Sequence, residues 1–214
     1  MGLSLSLALR RLAWLALLFV GAATNAHSAP KSVLVLGDSL SAEYGLSRGS
    51  GWVALLDQGL KAKKIDAEIV NASISGETSS GGRTRLPALL AKYRPSIVVV
   101  ELGANDGLRG LPVAAAEANF RAIISQSRQA GAQVLLIGMH LPPNYGRDYG
   151  DHFFAMYGKL AREYHAPLVP FMLEGVADNL FQADRLHPTA QAHPIILANI
   201  WPRLLPLIKS PTIN

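Results

Sequence analysis

Cysteine is absent from all 214 residues, which excludes disulfides, a thiol nucleophile and cysteine-ligated zinc. A chain of this size buries enough apolar surface without such staples, so the absence does not oppose export. Charge is also scarce. Asp, Glu, Lys and Arg make up 16% of the residues, while half are apolar, a balance that excludes disordered and collagen-like classes. The net charge is +5, and two of the cations, Arg10 and Arg11, lie close to the N-terminus. No run of Lys or Arg is interleaved with aromatics, so nucleic-acid binding has no support. Peripheral attraction to an anionic lipid surface stays open. A glycine-rich phosphate loop of the GxGxxG or GxxxxGK type is missing after the first strand-like run, which argues against a nucleotide binder. Repeats, low-complexity tracts and linkers are missing too. The length suits one domain better than two.

The first feature present is a leader. Arg10 and Arg11 precede an apolar stretch of 12 residues, Leu12 to Ala23, too short for a comfortable membrane span. Small residues follow, and cleavage is expected after Ala26 or Ser28, because Pro30 disfavours cleavage after Ala29. Residues 1–28 are thus read as a signal peptide, and residues 29–214 as one exported domain, periplasmic or secreted. An uncleaved anchor is the alternative, and the paired arginines leave a twin-arginine route open. No second apolar run reaches spanning length.

Beyond the leader, strand-like and helical patterns alternate. Ser32–Leu36, Ala67–Val70, Ile97–Leu102, Val134–Ile137 and Leu168–Phe171 read as strands. Trp52–Lys64, Thr78–Tyr93, Val113–Ala130, Asp151–His165 and about Thr189 to Leu207 read as helices. Pro87 is a possible kink, and Pro194 and Pro202 are expected local breaks in the last helix. Strands apolar throughout, separated by helices, predict an α/β fold, a parallel sheet covered on both faces as a three-layer α/β/α sandwich. Ligands in such sheets bind where loops leave the carboxyl ends of strands.

Those loops carry the chemistry. The first strand runs into Gly37-Asp38-Ser39-Leu40, which exposes a hydroxyl near free backbone N–H groups, or is a turn with Ser39 as a helix N-cap. After the second strand, Gly76 lets backbone approach a ligand, or is an ordinary turn glycine. After the third, Asn105 offers an uncharged amide donor suited to an oxyanion, or Asn105-Asp106-Gly107 is simply a turn. Asp184 and His187 stand three residues apart before the last helix. One tight turn can place the carboxylate on Nδ1 and leave Nε2 facing Ser39; alternatively, His187 is a surface histidine and Asp184 a cap. Together these positions supply the nucleophile, base, orienting carboxylate and oxyanion donors that acyl transfer requires. The spacing of His187 and His193 is not that of a helical zinc pair, and no metal or other cofactor is expected.

Five stretches carry a family resemblance: VLVLGDSLSAEYGL (Val33–Leu46), NASISGETSSGG (Asn71–Gly82), VVVELGANDGLRG (Val98–Gly110), LPPNYGRDYGDHF (Leu141–Phe153) and DRLHPTAQAHP (Asp184–Pro194). The chain resembles the SGNH (GDSL) hydrolase superfamily, closest to the bacterial periplasmic acyl-CoA thioesterase I / protease I / lysophospholipase L1 group and related arylesterases. The resemblance implies a five-stranded flavodoxin-like sheet of order 2-1-3-4-5. It implies a triad of Ser39, His187 and Asp184, with an oxyanion hole from Ser39, Gly76 and Asn105. It also implies broad tolerance for acyl thioesters, lysophospholipids and aryl esters. The Gly107–Pro112 segment is expected to be a mobile loop closing on the acyl chain, with Pro142–Gly146 as a second wall. Leu108, Leu111 and Tyr145 are candidate acyl contacts, or residues that merely pack under loops. Such a lining favours medium or long acyl groups over acetyl. The expected partners are small acyl esters or thioesters, acted on by a monomer. The rivals are a carbohydrate O-acetylesterase on the same scaffold and a non-catalytic binding protein.

Overall fold

The computed structural model describes residues 30–210; the leader with its cleavage sites, and residues 211–214, lie outside the described residues. Five strands form one parallel sheet: β1 (Lys31–Gly37), β2 (Ala67–Asn71), β3 (Ile97–Glu101), β4 (Gln133–Ile137) and β5 (Leu168–Val169), in the order β2-β1-β3-β4-β5. β1, β3 and β4 are buried on both faces, as continuous Val, Ile and Leu runs demand. β2 lies at an edge, and its Glu68 and Asn71 are exposed. β5 is shorter than the Leu168–Phe171 run suggests, because Pro170 has no N–H to continue the ladder.

Helices α1 (Trp52–Ala62) and α6 (His193–Lys209) pack together on one face of the sheet. Helices α2 (Ser79–Tyr93), α4 (Val113–Gln129) and α5 (Arg147–Glu163) cover the other. The result is the three-layer α/β/α sandwich. α6 turns Ile196, Ile200, Leu204 and Ile208 into the core at four-residue spacing, the period of a single helical stripe.

The structure corrects several expected boundaries. The last helix starts at His193, not Thr189, and a short 3₁₀ turn at Ala190–Ala192 precedes it. Pro194 and Pro202 do not break it. Pro194 occupies the first turn, where an N–H has no partner to lose, and the helix continues through both Pro202 and Pro206 to Lys209. α5 begins four residues before the expected Asp151, just after Gly146 at φ 87°. A short helix not foreseen, α3 (Ala104–Leu108), follows β3 immediately and is launched by Gly103 at φ 101°.

Candidate active site

β1 ends at Gly37, and the chain then enters a run of turns carrying Asp38, Ser39 and Ser41. Tyr44 N–H bonds back to the Ser39 carbonyl, and Ala42 N–H to that of Asp38, so the nucleophile candidate sits on a turn and not at a helix N-cap. On the opposite side of the crevice, residues 180–189 form a closed loop. Phe181 and Pro188 pair as an antiparallel bridge. Gln182 N–H bonds the His187 carbonyl, while Gln182 Nε2 bonds the carbonyls of Tyr44 and Pro188. Within the loop, Asp184 Oδ1 accepts the N–H groups of Leu186 and His187 at 2.9 and 3.0 Å, with Arg185 in left-handed geometry between them. Its other oxygen lies 2.7 Å from His187 Nδ1. His187 Nε2 lies 2.8 Å from Ser39 Oγ.

These contacts set protonation. The two backbone N–H groups, and then the imidazole, hold the Asp184 carboxyl down at about 2, so it is ionised across any physiological pH. A carboxylate on Nδ1 requires the Nδ1–H tautomer, which leaves Nε2 as acceptor for the Ser39 hydroxyl proton. Tyr44 lies over the imidazole, ring centroids 4.4 Å apart.

Of the three expected oxyanion donors, those on Ser39 and Asn105 border one cavity, while Gly76, on the loop between β2 and α2, is not among the residues that line it. Among the described residues, neither the Ser39 N–H nor the Gly76 N–H has a protein acceptor. Gly76 adopts φ 79°, a left-handed conformation that favours glycine. Its carbonyl accepts Arg109 Nη2 at 2.9 Å, and the loop is tied to β1 by Ile74 N–H on the Gly37 carbonyl. Asn105 stands in the first turn of α3 and donates one Nδ2 hydrogen to Asp38 Oδ2 at 3.0 Å. Among the described residues, its second amide hydrogen has no acceptor.

Ser39, Asn105 and His187 open into a cavity of about 340 Å³ whose wall includes Leu108, Met139, Leu141, Phe171, Leu173 and Phe181. His140 joins this wall, its ring stacked 3.6 Å from Phe154 and edge-on to Phe171. Burial holds its pKa below the ordinary histidine value; the charged residues of the lining are Asp38 and Arg185. Among the described residues no cluster of three or more His, Asp or Glu side chains is arranged to hold a metal ion.

The sequence profile of the GDSL-like lipase/acylhydrolase family matches residues 35–195. The chain belongs to this family. The esterase TesA of Pseudomonas aeruginosa is 49% identical over 184 residues, which span 85% of this chain and 92% of TesA. Thioesterase 1/protease 1/lysophospholipase L1 of Escherichia coli is 43% identical over 194 residues, 90% of this chain and 92% of that protein. A crystal structure of TesA superimposes with a TM-score of 0.81 at 50% identity, covering 83% of this chain and 99% of that one.

In this GDSL-like acylhydrolase, Leu108 is the acyl-contact candidate that lines the cavity; Leu111 and Tyr145 do not. Tyr145 instead donates its hydroxyl to the Leu108 carbonyl at 3.0 Å, and the Leu111 carbonyl accepts Tyr149 Oη at 2.7 Å. The expected mobile loop is also different in detail. Gly107 and Leu108 end α3, Gly107 is buried against Leu141, and Leu111 N–H bonds the Asp106 carbonyl.

Two buried acids beneath Ser39 escaped the sequence reading. Asp38 is fully buried, and burial lifts its carboxyl to about 6, against the hydrogen bonds from Leu40 N–H and Asn105 that pull it down. Glu101, at the end of β3, is raised well above the ordinary range by burial and by the neighbouring Asp38 charge. A single charged residue closing an otherwise apolar strand, IVVVE, is the signal that could have found it.

Proposed function

We propose that this chain is an exported serine hydrolase that cleaves acyl esters and thioesters, among them lysophospholipids, acyl thioesters and aryl esters, through a Ser39-His187-Asp184 triad. The observation that carries the reading is the unbroken relay from Ser39 Oγ through the imidazole to Asp184, at 2.8 and 2.7 Å, opening on an apolar cavity. Family membership, and relatives named esterase and thioesterase/lysophospholipase, support it. The leader motif over residues 1–28 supports export. Among the described residues no helix is long and apolar enough to cross a membrane. The relay is complete within one chain, so the proposed mechanism requires no second copy.

Chemically, Ser39 Oγ attacks the substrate carbonyl carbon as His187 Nε2 takes its proton. The carbonyl oxygen becomes an oxyanion, met by the Ser39 N–H, the Gly76 N–H and the free hydrogen of Asn105. Loss of one such donor lowers turnover by roughly 100–1,000-fold. The protonated His187, stabilised by the ionised Asp184, delivers the proton to the departing alkoxide or thiolate. Water then repeats the cycle on the acyl-serine and releases the acid. The apolar wall favours medium or long acyl chains.

The test is a p-nitrophenyl ester series with Ser39→Ala as control. Turnover is expected to rise with acyl length beyond acetate and to vanish in Ser39→Ala, and a fluorophosphonate is expected to label Ser39 alone. Labelling at another residue would overturn the triad. Activity confined to chains shorter than about four carbons would favour the carbohydrate O-acetylesterase instead. A binding module would keep its ligand after Ser39→Ala.

A further inference from the structure

Glu101 contacts neither the cavity nor the triad, yet it lies under both halves of the site. It is the last residue of β3 and pairs across the sheet with Gly37, the last of β1. The Gly37 position must lack a side chain: a Cβ there would sit 2.8 Å from Glu101 Oε2, 2.8 Å from Ser73 Oγ and 2.9 Å from Ser41 Cβ. The space so freed is filled by the Glu101 carboxyl, which reaches across the end of β1 to the nucleophile turn. Its Oε2 accepts Ser41 Oγ–H at 2.7 Å and the Asp38 N–H at 3.3 Å. Ser41 Oγ in turn accepts Trp52 Nε1–H at 3.1 Å, extending the chain to α1. Asp38 carries the order onward, with Oδ1 on the Leu40 N–H and Oδ2 on Asn105. Ser39 is thus bracketed by two residues, Asp38 and Ser41, that are both fastened to one carboxyl.

We propose that Glu101 is a positioning residue for acyl transfer: it fixes the turn carrying Ser39 and, through Asp38, aims the Asn105 amide at the oxyanion. The inference rests on the serine-hydrolase reading of the site. The charge state follows from the surroundings. The ionisable groups that bear on this pair are Asp106 from α3, Tyr157 from α5 and His187 from the closing loop. Apart from the imidazole, none of these can become a cation. Two buried carboxylates side by side without a cation are costly, and one proton resolves the conflict. Burial and the Asp38 charge place that proton on Glu101. Neutral Glu101 holds the turn without repelling Asp38, and Asp38 stays available to accept Asn105.

Three variants test this, each checked for a native circular-dichroism spectrum and compared with an active wild type, so that a failure of the hydrolase reading shows separately as an inactive wild type. Gln is always neutral and its carbonyl can accept from Ser41 and Asp38 N–H, so Glu101→Gln is expected to hold kcat within about threefold of wild type near neutral pH. Glu101→Ala is expected to lower kcat by about 10–100-fold with KM little changed, the cost of a small misplacement of reacting groups. Ser41→Ala removes one hydrogen bond of the same clamp and is expected to lower kcat in the same direction by less; it keeps the test alive if Glu101→Ala does not fold. A pH profile adds the decisive readout: any alkaline fall in kcat from ionisation of Glu101 is expected to be missing from Glu101→Gln. The proposal is overturned if Gln costs as much kcat as Ala, or if both Ala variants keep wild-type kcat, or if the losses fall on KM.

Discussion

At the scale of single residues, the site separates into groups chosen for chemistry and groups chosen to hold them. Asp38 is the sharpest case, because its burial opposes stability. Its pKa of about 6 in the folded chain lies above the ordinary 3.8, so the folded state binds that proton more tightly than the unfolded chain does. Stability is therefore present below about pH 4 and lost as pH rises toward 6, on the order of 3 kcal/mol in all. Asp38→Asn cannot ionise. Its melting temperature, measured against wild type, is expected to climb between about pH 4 and pH 8 while kcat falls, a stability–activity trade. A difference that stays constant over that range would remove burial of the charge as the cause. Ser39, Asn105, Asp184 and His187 were legible as candidates because each follows a strand or sits in a loop beside a rim that the element order defines, and the structure brings Ser39, His187 and Asp184 into contact. It missed Asp38 and Glu101 as a pair because their contact joins residues 63 apart in sequence. It left Leu111 and Tyr145 open between acyl contact and packing under loops, because nothing local distinguishes a side chain facing a cavity from one beside it, and neither residue lines the cavity.

At the scale of elements, the long buried strands were legible because apolar runs of Val, Ile and Leu fit only a sheet covered on both sides. Short elements were not. α3 is five residues long, less than two turns, and carries no periodicity to detect; Gly103, not a hydrophobic stripe, starts it. α6 shows the reverse error. Pro194 and Pro202 read as breaks, yet Pro194 falls in the first turn, and the stripe of Ile196, Ile200, Leu204 and Ile208 packs against the sheet and α1 firmly enough to keep the helix continuous through Pro202. Pro202 is exposed and lacks the N–H that would close a helical hydrogen bond. Pro202→Ala is expected to stabilise the protein by about 1–3 kcal/mol, read as a rise of about 2–4 °C in melting temperature per kcal/mol. A fall in melting temperature would mean that the ring itself packs usefully, and would sink the expectation.

At the scale of the whole molecule, one sheet and two helical layers share a single core, so the chain is expected to unfold as one unit. Near-ultraviolet and far-ultraviolet signals, and loss of esterase activity, should trace one coincident transition in urea. A separate early loss of activity would mean that the rim opens on its own. The closed 180–189 loop gives that comparison its edge. Asp184 is held on its imidazole by the backbone of its own turn, so this half of the relay needs only a few neighbouring residues to take shape. The hydroxyl it serves lies 148 positions away in the chain and arrives only when the first strand and the last loop have both docked. A partly assembled polypeptide thus already owns its proton carrier but has nothing to activate, and hydrolysis becomes a direct gauge of whether the two ends of the fold have met.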